Sequence, residues 1–127
     1  MLSGTLTLKD VAGTDHSFAT INYDNGGATR VDTAASLAEP SVLKIQHTSS
    51  GSGNSKVDRH LIQRQDVVID NASTYRVTTN VTITNPESFD ASDIVVDQLR
   101  QIIDLLTSGT TPTVDDSLVS QLLRGES

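Results

Sequence analysis

The hydrophobic period of this chain changes at Asn85-Pro86, and that change limits the folds open to it. Before the break, Thr74 to Thr84 alternates strictly. Tyr75, Val77, Thr79, Val81 and Ile83 fall on one side of a strand, and Arg76, Thr78, Asn80, Thr82 and Thr84 on the other. After it, Ile94, Val95, Leu99, Ile102, Ile103 and Leu106 recur at the 3.6-residue spacing of an amphipathic helix, with Asp97, Arg100, Gln101 and Asp104 elsewhere on its surface. Strands first and helices afterwards define an α+β chain. Charge divides at the same point. Residues 41–85 carry five basic residues (Lys44, Lys56, Arg59, Arg64, Arg76) against three acids (Asp58, Asp66, Asp70), a balance of +2. Residues 86–127 carry two (Arg100, Arg124) against eight, a balance of −6. Two faces with different partners are expected, which says more than the overall charge of −7.

Upstream of the break the pattern is strand-like throughout. Gly4 to Lys9 alternates, Asp10 to Asp15 contains the Gly13 turn signal, and His16 to Tyr23 completes an N-terminal hairpin. Asp24-Asn25-Gly26-Gly27 is a turn, 29–33 a short strand and 34–40 a loop. Ser41 to His47 is a strand with Leu43 and Ile45 on one side and Lys44 and Gln46 on the other. Thr48 to Ser55 is a flexible connection, and Lys56 to Ile69 a long strand of ambiguous parity. One parity places Arg59 and Gln63 with the core, the other His60 and Arg64, and a bulge would reconcile its two ends. Asp70 to Ser73 turns the chain into the alternating strand. Asp90 or Ser92 caps the first helix, Ser108-Gly109 ends it, and a second helix starts at Thr113 or Asp115 with Leu118, Leu122 and Leu123 apolar.

At 127 residues this is one domain, and with two Phe, two Tyr and no Trp its core must be aliphatic. Two terminal helices cannot cover a broad sheet alone, so a partner chain is expected. The absence of cysteine excludes disulfides, zinc-thiolate sites and cysteine nucleophiles. No signal peptide is expected from Met1-Leu2-Ser3-Gly4-Thr5, and no apolar run approaches the ~20 residues that span a bilayer. Asn71-Ala72-Ser73 and Asn80-Val81-Thr82 match the glycosylation pattern as chance in a Thr/Asn-rich chain.

No enzyme is indicated. His16, His47 and His60 lie in no recognisable nucleophile turn. Asp115-Asp116 and Asp90…Asp93 read as helix-start acids and not as metal ligands, so neither a metal nor a cofactor is expected. Gly51-Ser52-Gly53-Asn54-Ser55-Lys56 resembles a phosphate loop, but its spacing is wrong and no helix follows. What remains is a polar sheet face. Lys44, Gln46, Arg76, Thr78 and Asn80 lie together if strands 41–47 and 74–84 share a sheet, and Lys56 with Arg59 or Arg64 extends the group. Lys and Arg meet phosphates, while Asn, Gln and Thr hydrogen-bond bases or ribose. The alternative is an ordinary solvated sheet face.

The order is hairpin, short strand, three longer strands and two terminal helices. Its most specific stretches are Leu43-Lys44-Ile45-Gln46-His47-Thr48, Val57-Asp58-Arg59-His60, Tyr75 to Asn85, and Leu122-Leu123-Arg124-Gly125-Glu126-Ser127. With these, the chain resembles the coat proteins of single-stranded RNA bacteriophages, the levivirus-like group. The resemblance implies an N-terminal hairpin (1–24), a five-stranded antiparallel sheet (29–85) and two dimerising helices (90–125) in one domain. It implies an intertwined homodimer with Ile94, Leu99, Ile102, Ile103 and Leu106 in the interface, assembling into an icosahedral (T=3) capsid. The turn at Asp70 to Ser73 would meet neighbouring copies at symmetry axes. RNA contacts fall on Lys44, Gln46, Arg76, Thr78 and Asn80, with Arg59 and Gln63 joining from the long strand. The expected function is a structural coat subunit of a virion, assembled in the bacterial cytoplasm around single-stranded RNA, with no membrane or small-molecule partner. The competing readings are a small dimeric α+β binding module that forms no shell, and an enzyme using His47 or His60.

Overall fold

The computed structural model describes residues 4–24, 26–108 and 113–114. The chain divides into two units, Met1–Phe89 and Asp90–Ser127.

The first unit is an antiparallel sheet whose six strands neighbour one another in chain order. They are β1 Thr5–Lys9, β2 Asp15–Asp24, β3 Gly27–Asp32, β4 Ser41–Ser50, β5 Val57–Asp70 and β6 Ser73–Pro86. The hairpin is therefore not separate from the sheet. β2 is ten residues long. Its first part pairs with β1, from Lys9↔Asp15 to Thr5↔Ala19, and from Phe18 onward it pairs with β3. Phe18 and Ala19 pair on both edges, and a register shift against β3 follows between Thr20 and Asn22. That is where the irregularity lies. β5 pairs with β6 over its whole length and with β4 from Val57 to Asp66, with no shift in either ladder, so it carries no bulge and one parity holds throughout.

The turn between β5 and β6 has two central residues, Asn71 at φ 48° and Ala72 at φ 64°. Two left-handed residues in a row give the mirror-image turn whose twist matches the flanking strands. Asn tolerates that conformation, but Ala crowds its Cβ against the following carbonyl. Ala72→Gly should therefore raise stability by about 1 kcal/mol, net of the glycine's greater freedom when unfolded. A higher midpoint in denaturant melts checks this, and an unchanged or lower one would show that Ala72 is not strained.

Directly opposed residues share a face of the sheet. The first face takes Phe18, Ala28, Arg30, Asp32, Leu43, Ile45, His47, His60, Ile62, Arg64, Val77, Val81 and Ile83. The buried core lies here, under β2–β4: Phe18, Ala28 and Leu43, with Arg30 and Asp32 also buried. The Arg64 guanidinium sits 4.6 Å from the Phe18 ring centroid. It donates to the Val42 carbonyl at 2.7 Å, the Ser41 hydroxyl at 2.9 Å and Asp66 at 3.1 Å. An arginine thus closes this end of the core by stacking on an aromatic ring, its charge met by oxygens. Further along the same face the cover ends. Ile62, Val68, Tyr75, Val77 and Val81 are exposed.

In the second unit, α1 Ser92–Leu106 begins after Ala91. Asp90 accepts the Ser92 backbone N–H at 3.1 Å, so the aspartate serves the start and Ser92 is already helical. The Ser92 side chain and N–H hold the Asp90 carboxyl below its ordinary range. Short strands β7 Thr107–Ser108 and β8 Thr113–Val114 pair after the helix. Thr113 is consequently extended and does not start a helix. The rest of the expected second helix lies outside the described residues. No residue of α1 is buried: Ile94, Ile102 and Ile103 are exposed, and Leu99 and Leu106 are half-buried.

Candidate nucleic-acid interface

The ladder decides which polar residues meet. Lys44 lies opposite Thr29 on β3 and Gln63 on β5, and Gln63 lies opposite Asn80 on β6. Thr29, Lys44, Gln63 and Asn80 therefore form one transverse row. With strands ~4.8 Å apart the row is roughly 14 Å wide. Beside it run Gln46–Leu61–Thr82 and Thr48–Arg59–Thr84 on one flank, and Val42–Gln65–Thr78 and Val67–Arg76 on the other. Seven of the eight candidates come together on this second face: Lys44, Gln46, Arg59, Gln63, Arg76, Thr78 and Asn80. His60 and Arg64 are the pair that lies with the core.

Lys56 does not join them. It precedes β5 and ion-pairs with Glu87 at 2.8 Å, a contact that raises its pKa. Two residues belonging to the array were missed in the sequence, Thr29 and Gln65. Thr29 sits in a strand too short to show alternation, and Gln65 follows Arg64 where parity was open.

Charge sorts between the faces more sharply than along the chain. Over β3–β6 the second face carries Lys44, Arg59 and Arg76 and no acid. The first face carries Arg30 and Arg64 against Asp32, Asp58, Asp66 and Asp70. A positive surface with interspersed amides and hydroxyls, backed by a negative one, can hold a polyanion on one side only.

A separate cluster ties the hairpin to the sheet. His16 on β2 donates from Nδ1 to Asp32 at 2.8 Å and from Nε2 to Asp10 at 2.9 Å. With a carboxylate on each nitrogen the ring carries both hydrogens and is an imidazolium. Asp10, then Asp32, raise the His16 pKa above its ordinary 6.5. His16, then the Thr14 N–H, lower that of Asp10 below 3.8, and the Ala34 N–H, then His16, lower that of Asp32. The raised histidine contributes stability that is complete below pH 6.5 and lost as pH rises through its folded value. The depressed carboxylates contribute above pH 3.8 and lose it as pH falls through theirs. The cluster is thus at full strength between about pH 4 and 6.5. Thermal midpoints of the protein should decline above pH 6.5, and His16→Gln should flatten that decline. Parallel curves for the two proteins would remove the assignment.

Among the described residues no helix is long and apolar enough to cross a membrane. The antiparallel sheet with its polar face, and the helix that follows it in the chain, match solved coat proteins of bacteriophages. The chain aligns over 97% of its length with the capsid protein of bacteriophage GA (TM-score 0.59, 14% identity, 95% of that chain). The coat protein of bacteriophage EMS014 aligns over 99% (TM-score 0.70, 14% identity, 98% of that chain). A bacteriophage coat-protein dimer described as unassembled and RNA-binding aligns over 97% (TM-score 0.62, 16% identity, 94% of that chain). Comparison with curated protein sequences gives no match. The family model for the coat protein of phage phiCb5 matches residues 3–87, two thirds of the chain, and the chain belongs to that family. It is a structural capsid protein and not an enzyme. The match ends within two residues of the boundary between the two units.

Proposed function

We propose that this chain forms a homodimer, that dimers assemble into an icosahedral shell, and that the shell encloses single-stranded RNA against the Lys44–Arg76 face. The acid-free second face of β3–β6 carries this reading. Three fixed cations supply phosphate contacts, while Gln46, Gln63, Thr78 and Asn80 supply hydrogen bonds to sugar and base. Within β3–β6 the negative side chains lie on the other face, while β2 places Asp15 and Asp24 on the second face, beyond β3. With screening over about 8 Å, the local field and not the net charge governs binding.

Dimerisation is supported by what one copy leaves uncovered. β6 has a single neighbour among the described residues, and fourteen residues of edge are open to another chain. Tyr75, Val77 and Val81 are exposed beside that edge. The stripe of Ile94, Leu99, Ile102, Ile103 and Leu106 has the period to cover such a surface on a second copy. Structural relatives include a dimer described as RNA-binding and virus-like particles, such as that of Beihai levi-like virus 21 (TM-score 0.64). The virion is then the protein's final location, with assembly in the cytoplasm of a bacterial host.

Negative-stain microscopy of the protein expressed in bacteria, with absorbance at 260 and 280 nm on the same fraction, tests this directly. Uniform spherical particles carrying nucleic acid are expected. A small species free of nucleic acid that stays small when RNA is added would overturn the shell reading in favour of a dimeric binding module.

A further inference from the structure

His47 and His60 stand directly opposite each other on β4 and β5. Their Nδ1 atoms are 2.8 Å apart, and their rings meet edge-on with planes inclined by 67°. Two neutral imidazoles at that distance share one hydrogen, since two lone pairs would repel and two hydrogens would clash. Asn85 decides which ring donates. Its Nδ2 donates to the Pro86 carbonyl at 3.3 Å, which leaves Oδ1 to accept from His60 Nε2 at 3.1 Å. His60 therefore keeps its hydrogen on Nε2 and presents a lone pair at Nδ1, to which His47 Nδ1–H donates.

We propose that this pair is a binding site for a divalent copper or nickel ion, held by the two Nδ1 atoms. Two metal–nitrogen bonds of about 2.0 Å separate their nitrogens by ~2.8 Å at the right angle of a tetragonal ion, but by ~3.3 Å at a tetrahedral angle. The 2.8 Å in this protein is the hydrogen-bond distance and shows that both nitrogens come within a metal's bite; copper(II), then nickel(II), is preferred on intrinsic affinity, since affinity rises to copper and falls again at zinc. Turning the two rings about their soft Cβ–ring bonds breaks this hydrogen bond and lets both lone pairs converge on one ion. His47 loses its Nδ1 hydrogen to solvent and takes one at Nε2, so the ring stays neutral. Asn85 is a positioning residue that fixes the His60 ring and its tautomer. His47 is exposed, and among the described residues no third His, Asp or Glu joins the pair. Water fills the other positions, which makes the site open and exchangeable. It lies on the face opposite Lys44 and Arg76 and does not depend on RNA binding.

Titration of the full-length protein with copper(II) chloride, followed by calorimetry and electron paramagnetic resonance, tests the site. The expected result is one ion per chain with hyperfine coupling to two equivalent nitrogens, and weaker binding of zinc. His47→Gln and His60→Gln should each lower copper affinity at least about tenfold, and Asn85→Ala by roughly 10–100-fold. His16→Gln should leave it unchanged. Undiminished binding in the His47→Gln/His60→Gln double variant overturns the proposal and identifies an adventitious ion only. Loss of the stoichiometric ion in His16→Gln, with the His47–His60 pair intact, overturns it too by placing the metal at the hairpin cluster. Far-UV circular dichroism without metal checks folding. If His60→Gln fails to fold, His47→Gln carries the test, because the His47 side chain is exposed.

Discussion

Thr82→Pro should leave the six-stranded sheet folded and abolish both the dimer and the particle. The ladder between β5 and β6 fixes which N–H groups face the open edge. The Glu87 N–H donates to the Lys56 carbonyl at 3.0 Å, so 56 and 87 form a hydrogen-bonded pair, and such pairs recur at every second position of an antiparallel ladder. Odd-numbered residues of β6 therefore bond inward to β5, and even-numbered ones, Thr82 among them, point their N–H outward at the open edge. Proline at an outward position removes no bond of the monomer. It removes one that a neighbouring strand needs, and its ring stands in that strand's way. Light scattering behind a sizing column and electron microscopy give the result. Normal particles with a folded Thr82→Pro subunit would rule out the β6 edge as the joint between copies.

The second large effect concerns RNA. Removing Lys44, Arg59 and Arg76 together as alanines should leave dimers intact and reduce packaged RNA several-fold. Each single-strand phosphate contact contributes about 0.7 to the slope of log affinity against log salt, so three lost contacts flatten it by roughly 2. Lys56→Ala is the informative control. It changes net charge as much as Arg59→Ala does, but its amine is held by Glu87 away from the array. Arg59→Ala should cost more RNA than Lys56→Ala. Equal losses would mean that net charge governs packaging, and the face would lose its special standing.

Much of this was legible in the chain. β6 was legible because it is a fourteen-residue edge strand of unbroken alternation, and α1 because its apolar stripe holds a helical period over four turns. Lys44, Gln46, Arg76, Thr78 and Asn80 could be grouped because each sits in a strand whose parity is unambiguous. β5 was not legible in the same way. Val57, Leu61 and Val67 fall on the polar face and Ile62 and Val68 on the core face. With apolar residues on both sides, periodicity alone could not orient it. Nothing in the alternation of His16 to Tyr23 shows that one strand pairs with β1 on one edge and with β3 on the other, which is what joins the hairpin to the sheet. The shift against β3 between Thr20 and Asn22 is a single extra residue in an otherwise regular pattern.

By itself, then, the amino-acid order determined the types of β1–β6 and α1, the break at Asn85-Pro86 and the residues of β4 and β6 that face polar surroundings, since alternation and helical period are local properties. Only the tertiary structure decided that Arg59 and Gln63 join Lys44 and Asn80, that Lys56 is diverted to Glu87, and that His47 meets His60. Those are matters of register between strands. A register depends on which backbone groups pair across the sheet, and no single strand contains that information.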